Sequence, residues 1–304
     1  MDIVIVNWNT GPYLRSCLES VAAARRSTYE LGKVVVVDNA STDGSLERLQ
    51  GIDLPLVVIR NDENRGFSVA CNQGAEAGDA ALILFLNPDT RLFPQTLDST
   101  VAFMADPTNS HLGICGGQML GEDGRRQFSC ARFPTLMMFA THMIGLTRAF
   151  PRWFPPQRLT PEEVSHSGIV DQVIGAYFLI RRSVFEALGG FDERFFVYLE
   201  DVDLAYRARR LGYPSYFLAD VPVYHKEMAS SGQVRGHRLF YLLRSRTQYA
   251  RKHWPAWQAV LLAGLILTVE CPVRAIVAAL RGRRDELAEV GEAARLYAWY
   301  LAAR

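Results

Sequence analysis

Short runs of β-branched and apolar residues recur along the first half of the chain, separated by stretches whose apolar positions return every three to four residues. The runs at residues 3–7, 33–38, 56–60 and 81–86 read as buried strands. Residues 13–24, 44–50 and 68–77 read as helices, and Ser41, Thr42 and Asp43 offer capping groups ahead of the second. Strands alternating with helices predict an α/β domain with a mostly parallel central sheet flanked by helices. Farther along, a strand pattern runs from Val170 through Ile180, an amphipathic helix spans the region between Glu200 and Gly212, and short strands are expected at Pro214–Phe217 and Val221–His225. The last of these delivers His225 into a polar loop, 226–232. Residues 130–165, rich in Met, Phe, Trp and Pro, interrupt the alternation and read as an insertion or lid, with a core helix over 135–147 as the competing expectation.

In open parallel sheets, ligands bind beyond the carboxyl ends of the strands, so the polar loops there are the first places to look. Four stand in succession: Asn7-Trp8-Asn9-Thr10, Asp38 through Ser45, Asn64-Arg65-Gly66-Phe67 and Asn87-Pro88-Asp89-Thr90. Turn formation explains any one of them. Together they place acids, amides and an arginine along one sheet edge, which is the composition of a site. Three acids open the later helix, Glu200, Asp201 and Asp203; for Asp203 the attraction of an anion to a helix N-terminus is explanation enough.

A chain of 304 residues, 49% hydrophobic and 21% charged, can bury one large core or two modest ones, giving a catalytic domain plus an appendage. The formal charge of +1 conceals a basic C-terminus, since residues 232–304 carry a net +7 and residues 1–231 a net −6. Residues 254–269 contain no charge, and Trp254, Trp257 and flanking arginines suit helices lying on an anionic membrane surface, with a break at Pro272. Ordinary core packing of residues 257–280 is the alternative. Five cysteines without a CxxC pair argue against a zinc ribbon or a disulfide framework and suit a reducing cytoplasm. The apolar start at Ile3 predicts no secretory signal. A sugar nucleotidyltransferase would want a Gly-rich, basic loop after the first strand, and a dinucleotide oxidoreductase the G-x-G-x-x-G fingerprint; neither is there. The basic tail accompanies an apolar run instead of a polar aromatic platform, so no nucleic-acid partner is expected.

Five segments in order, VIVNWNT, VVDNASTDGS, NRGFSVACNQG, LFLNPDT and GGFDERFFVYLEDVDLAYRARRLGY, resemble glycosyltransferase family 2, inverting enzymes of the GT-A fold. A narrower resemblance, to bacterial rhamnosyltransferases of O-antigen and cell-wall synthesis, rests on Asn64 to Phe67, the NPD triplet and LFYLLRSRTQYARKHW. The resemblance implies a GT-A nucleotide-diphospho-sugar transferase fold over residues 1–232, its nucleotide-binding half about 1–117 and its acceptor half about 118–232. Residues 233–304 would form a helical, membrane-associating appendage.

By the same resemblance, Asn7, Asn9, Asp38, Arg65, Asn87 and Asp89 contact the donor. Asp38 would accept the N3–H of uracil or thymine. Asp89 and His225 would hold Mg²⁺ or Mn²⁺, and Asn87 stands where the family's DxD motif has its first acid, leaving one carboxylate fewer. Asp201 would be the general base, with Glu200 orienting it or binding acceptor. The expected reaction is metal-dependent transfer with inversion from dTDP-L-rhamnose, or from a UDP-hexose as the competing donor. The expected acceptor is a hydroxyl of a glycan or polyprenyl-diphosphate-linked sugar at the cytoplasmic face of the membrane. A non-catalytic nucleotide-sugar-binding protein would require loss of the base or metal positions, and Asp201, Asp89 and His225 are all present.

Overall fold

The structure, a computed structural model, describes residues 1–24, 28–226 and 235–303. Its strands are β1 (Asp2–Asn7), β2 (Val34–Asp38), β3 (Leu56–Arg60), β4 (Leu82–Leu86), β5 (Thr90–Leu92), β6 (Ile114–Leu120), β7 (Cys130–Ala131), β8 (Gly168–Val170), β9 (Gln172–Val173), β10 (Tyr177–Arg181) and β11 (Ser215–His225). Its helices are α1 (Tyr13–Ala24), α2 (Phe67–Glu76), α3 (Thr96–Ala105), α4 (Leu136–Met143), α5 (Leu146–Ala149), α6 (Arg182–Ala187), α7 (Glu200–Arg210), α8 (Arg235–His253), α9 (Ala256–Leu265), α10 (Cys271–Leu280) and α11 (Arg284–Ala302). Two compact units result. One comprises Met1–Phe133, Arg158–Glu193 and Glu200–Ser230, the other Pro134–Gln157, Arg194–Leu199 and Ser231–Arg304.

In the first unit the sheet runs β3-β2-β1-β4-β10-β6-β11-β5, with β8 paired to β11. Strands β3, β2, β1 and β4 are mutually parallel, whereas β10 inserts antiparallel between β4 and β6. Strand β6 is parallel to β11, and β5 antiparallel to it. The α/β expectation is thus met. The central strands are apolar on both faces because both faces are covered. Ile3, Ile5, Val34, Val36, Leu84 and Leu179 point to one core with Leu14, Leu18 and Val21 of α1. Val4, Ile83, Phe85, Phe178 and Ile180 point to another with α2, α6 and α7. Glycine at position 74 lets α2 approach β1, since a Cβ there would lie 2.3 Å from Val4 Cγ1. At the opposite end of β1, buried Asp2 accepts from Arg182 Nη2 (2.8 Å), Lys33 N (2.8 Å) and Ala80 N (2.9 Å).

Several elements depart from expectation. Residues 44–50 form only a 3₁₀ turn at Glu47–Leu49, because Asp43 and Ser45 are committed to bonds with Gly11 and Asn7. The single strand expected over 170–180 divides into the end of β8, β9 and β10, which pair with β11, β7 and β4 respectively. The two strands expected around Pro214 and Val221 are one strand, β11, with an irregularity between Leu218 and Pro222. Residues 227–232 of the loop after His225 lie outside the described residues.

The second unit is helical. Phe196 stacks on Tyr241 at 4.5 Å, and Ser245 Oγ and Gln248 Nε2 donate to the carbonyls of Val197 and Arg194, so α8 holds the 194–199 segment. Helix α8 packs on α9 and α11, α10 on α11, and α4 on α9. Pro272 does not break the chain: Ala256–Leu280 is one helix of 25 residues. Its stretch Ile266–Glu270 is π-helical, and this change of hydrogen-bond pattern lies directly ahead of Pro272, which has no N–H to donate to the preceding turn.

Candidate active site

The parallel strands β1, β2 and β4 end together, so their terminal residues share one rim. There Asn7 pairs in register with Asp38. Asn7 is fully buried; its Nδ2 lies within hydrogen-bond distance of Asp38 Oδ1 (2.7 Å), Ser45 Oγ (2.8 Å) and Ser41 Oγ (3.0 Å), and its Oδ1 accepts from Thr10 Oγ1 (2.5 Å). Its amide is therefore spent inside the protein, orienting the Asp38 carboxylate, whose Oδ2 accepts from Ser41 N (3.1 Å). Asn9 Oδ1 accepts from Thr42 N (2.8 Å), tying the first loop to the second. Asp43 accepts from Gly11 N (2.6 Å) and Ser45 N (3.0 Å). Burial opposes its charge, but the bonds from Ser45 and Gly11 outweigh that and hold its pKa below the ordinary value. Asn9 and Ala40 take left-handed φ of 50° and 61°, uncommon for residues with a Cβ, so the loops are bent into shape by these bonds. Arg65 is exposed and has no partner among the described residues.

At the end of β4, Asn87 N donates to Ala176 O (3.0 Å), and the Asn87 carbonyl accepts from Thr90 Oγ1 (2.7 Å). Two residues on, Asp89 Oδ1 lies 3.5 Å from His225 Nε2, with both side chains largely buried. His225 reaches this point because β11 ends in register with β5, and Lys226 N donates to Asp89 O (3.0 Å). A carboxylate oxygen and an imidazole nitrogen at this separation suit two neighbouring ligands of one divalent cation. No third Cys, His, Asp or Glu joins them among the described residues, which leaves coordination positions for substrate phosphate and water. His225 Nδ1 is buried without a hydrogen-bond partner among the described residues.

The third group opens α7. Asp201 Oδ2 accepts from Gln172 Nε2 (2.8 Å) and Gly175 N (2.9 Å), and its Oδ1 from Val202 N (2.8 Å). A Cβ at position 175 would sit 3.1 Å from Asp201 Oδ2, so glycine there admits the carboxylate. Burial raises the Asp201 pKa above the ordinary value, while the N–H groups of Val202 and Gly175 and the charge of Arg158 oppose the rise. Glu200 is buried, and its Oε2 has no partner among the described residues. Desolvation, then the nearby Asp201 charge, push its pKa well up. Of the two, Asp201 has the donors that sustain an anion and Glu200 does not. Buried Asp203 accepts from Arg207 Nε (2.8 Å), and Arg207 also donates to the Leu188 and Gly190 carbonyls. Asp203 is therefore structural, pinning the Gly189-Gly190 turn.

A sequence profile described as glycosyl transferase family 2 matches residues 2–189. The chain belongs to this family. The match takes in Asn7, Asn9, Asp38, Arg65, Asn87 and Asp89 and stops short of Asp201 and His225. An N-acetylglucosaminyl-diphospho-decaprenol L-rhamnosyltransferase of Mycobacterium tuberculosis is 29% identical over 95% of this glycosyltransferase and 98% of its own length. Rhamnosyltransferase WbbL of Escherichia coli is 25% identical over 73% and 81%. A mannosyltransferase from Pyrobaculum calidifontis, solved with GDP-Man and Mn²⁺, shares the fold with a TM-score of 0.57 at 19% identity, over 98% of this chain and 86% of that one. The family-2 chain is a transferase of glycosyl groups from nucleotide sugars.

The structure thus joins Asn7, Asn9 and Asp38 into one hydrogen-bonded cluster and sets Asp89 beside His225. The Asp201 cradle connects to the β4 rim through adjacent residues, Gly175 holding the carboxylate and Ala176 holding Asn87. Sequence reasoning missed Gln172 and Gly175, whose only signal was a glycine before a strand. It also missed a pocket of about 170 Å³ shared by Asp89 with Tyr13, Ser16, Thr90, Arg91, Glu122 and Tyr224. Beside it, Lys226 Nζ pairs with Glu122 (2.9 Å) and lies over the Tyr13 ring at 5.0 Å, while Arg91 lies over Tyr224 at 4.0 Å.

Proposed function

We propose that this glycosyltransferase transfers a deoxyhexosyl group, L-rhamnose from dTDP-L-rhamnose, with inversion onto a hydroxyl of a polyprenyl-diphosphate-linked sugar at the inner face of a membrane. The observation that carries the substrate reading is the near full-length similarity to the mycobacterial rhamnosyltransferase. The Asp201 cradle supports the mechanism. A carboxylate held by Gln172, Gly175 and Val202 is fixed in place, and its raised pKa suits it to take a proton from an acceptor hydroxyl as that oxygen attacks the anomeric carbon. Single displacement needs one such base opposite the leaving diphosphate and no protein nucleophile. Asp38, oriented by Asn7, accepts the imide N–H of a pyrimidine base; Asn9, Asn87 and Arg65 complete the donor contacts. Asp89 and His225 would hold Mn²⁺ or Mg²⁺, and a cation there would supply positive charge to the leaving diphosphate. Lys226 and Arg91 add positive charge beside Asp89. Glu200, beside the base in sequence and with its pKa raised by burial, binds acceptor or supports the base.

Isothermal titration with dTDP and UDP, each with and without Mn²⁺, followed by transfer from dTDP-rhamnose to a short-chain polyprenyl-diphosphate sugar, tests this reading. Metal-enhanced binding that favours dTDP, with transfer lost in Asp201→Asn while nucleotide affinity persists, is the expected result. A preference for UDP would replace the sugar and leave the mechanism; full turnover by Asp201→Asn would remove Asp201 from it.

A further inference from the structure

In the second unit, the helix Ala256–Leu280 places its one carboxylate inward and leaves apolar side chains outward as well as inward. Its buried face carries Ala259, Leu262, Ala263, Ile266 and Ala278 and also its one carboxylate, Glu270, which accepts from Arg246 Nη1 (2.9 Å) and Arg274 Nη2 (2.8 Å). Burial opposes the Glu270 charge, and the two arginines outweigh it, so the ion cluster is settled inside. The outward stripe carries no charge and is apolar at both ends, with Gly264, Thr268 and Pro272 between. Trp257 and Leu261 stand on it exposed, with Val260 73%, Ile276 59% and Leu280 83% exposed. Only 28% of the helix's most apolar window, mean hydropathy 2.0, is buried.

A second segment of the same unit repeats the pattern. Helix α4 anchors through Phe139, whose ring lies 5.8 Å from Trp254 and beneath the Arg246 guanidinium at 4.9 Å. Around that anchor Met137, Ile144, Phe150 and Trp153 are left in solvent, Trp153 at 82% exposure. Of the seventeen large apolar side chains exposed among the described residues, twelve belong to this unit, the kind of clustering that marks an interaction surface. The unit's charge completes the picture: its segments hold 15 Lys/Arg against 5 Asp/Glu, a net +10, where the sheet unit carries −9. Arg148 and Arg152 border the α4 segment, and Arg281, Arg283 and Arg284 follow Leu280.

We propose that the outward stripe of Ala256–Leu280 and the 137–153 segment together form the membrane-docking face of this enzyme, inserted to headgroup depth in an anionic bilayer. The proposal deepens the reading of a lipid-linked acceptor and rests on it for its purpose, though not for its geometry. A helix of 25 residues is long enough to span, about 37 Å at 1.5 Å per residue. Its inward face is nonetheless committed to Glu270, Arg246 and the helices α8 and α11, which holds it parallel to the surface as an interfacial helix.

The test is flotation of the full-length protein with phosphatidylcholine vesicles containing 30% or no phosphatidylglycerol, at low and high salt. Wild type is expected on the anionic vesicles, salt-sensitively. The partition coefficient should fall more than tenfold in Val260→Glu/Ile276→Glu/Leu280→Glu, and separately in Met137→Glu/Trp153→Glu. All five positions are exposed, and an unchanged thermal midpoint confirms that each variant folds. Arg281→Ala/Arg283→Ala/Arg284→Ala should weaken binding to the anionic vesicles alone. Wild-type partition by both glutamate variants, retention of bound protein through alkaline carbonate extraction, or a dimer in sedimentation that the glutamate variants dissolve would each overturn the proposal. Donor hydrolysis in solution is read on the same samples. Wild-type protein that floats but turns over no nucleotide sugar would sink the transferase reading and leave the docking face standing.

Discussion

Gln172→Leu isolates what the cradle does for Asp201. Gln172 is buried and donates to Asp201 Oδ2 at 2.8 Å, and leucine of similar bulk cannot donate. A hydrogen bond to a charged acceptor contributes about 1.5–3 kcal/mol. At 1.36 kcal/mol per pKa unit, its loss should move the Asp201 pKa up by about 1–2 units, beyond the rise that burial already imposes. The sign follows from the role. A base works deprotonated, so raising its pKa removes activity from the acid side first. The acidic limb of the kcat/KM profile with nucleotide sugar and acceptor should therefore shift alkaline by about 1–2 units. At pH values below the wild-type limb the variant should fall roughly 10–100-fold below wild type, and above the new limb it should recover to within a few-fold. A purely structural role would lower activity by the same factor at every pH. A limb that stays in place or moves acid would refute the assignment of Asp201 as the base held by Gln172.

Three further outcomes follow from the same geometry. Glu200→Gln should stabilise the protein near pH 7.5, because glutamine brings no charge for the buried site to oppose. The folded pKa of Glu200 is raised, so wild type loses stability as pH climbs from the ordinary glutamate value toward the folded one. Thermal midpoints of the two proteins should converge near pH 4 and separate above it. Asp89→Asn should abolish the gain in nucleotide affinity on adding Mn²⁺ while leaving metal-free affinity within about threefold; titration calorimetry checks both arms, and a metal response equal to wild type would exclude Asp89 as a ligand. Arg182→Met leaves the buried Asp2 carboxylate without its cation and should cost about 3–5 kcal/mol in urea denaturation; a loss below about 1 kcal/mol would show the pair to be dispensable.

Much of the site was legible because its residues sit at the ends of locally coded elements. Apolar runs of strand length at 3–7, 33–38 and 81–86 became β1, β2 and β4, and the polar residues after each became the rim, with Asp38 and Asp89 on it. The resemblance added His225 and Asp201, which lie more than a hundred residues from Asp38 in sequence. What escaped was the division of labour. Asn7 was expected at the nucleoside, yet its amide is consumed holding Asp38, a fact that depends on the hydroxyls of Ser41 and Ser45 folding back across the first strand.

The sequence by itself determined the alternation of strands and helices, the polar rim and the basic, apolar character of the tail, because hydrophobic periodicity and turn chemistry are read over a few residues at a time. Tertiary structure decided which groups are satisfied. Antiparallel insertion of β10 between β4 and β6 brings Gly175 to the rim, where its N–H meets Asp201, and seclusion of Glu200 leaves its Oε2 without a partner among the described residues. The uncharged run 254–269 was visible in the sequence, but only packing decided that Glu270 turns inward and that apolar side chains such as Val260 and Leu280 are left outward. Hydrogen-bond partners and desolvation come from residues distant along the chain, and no local pattern encodes them.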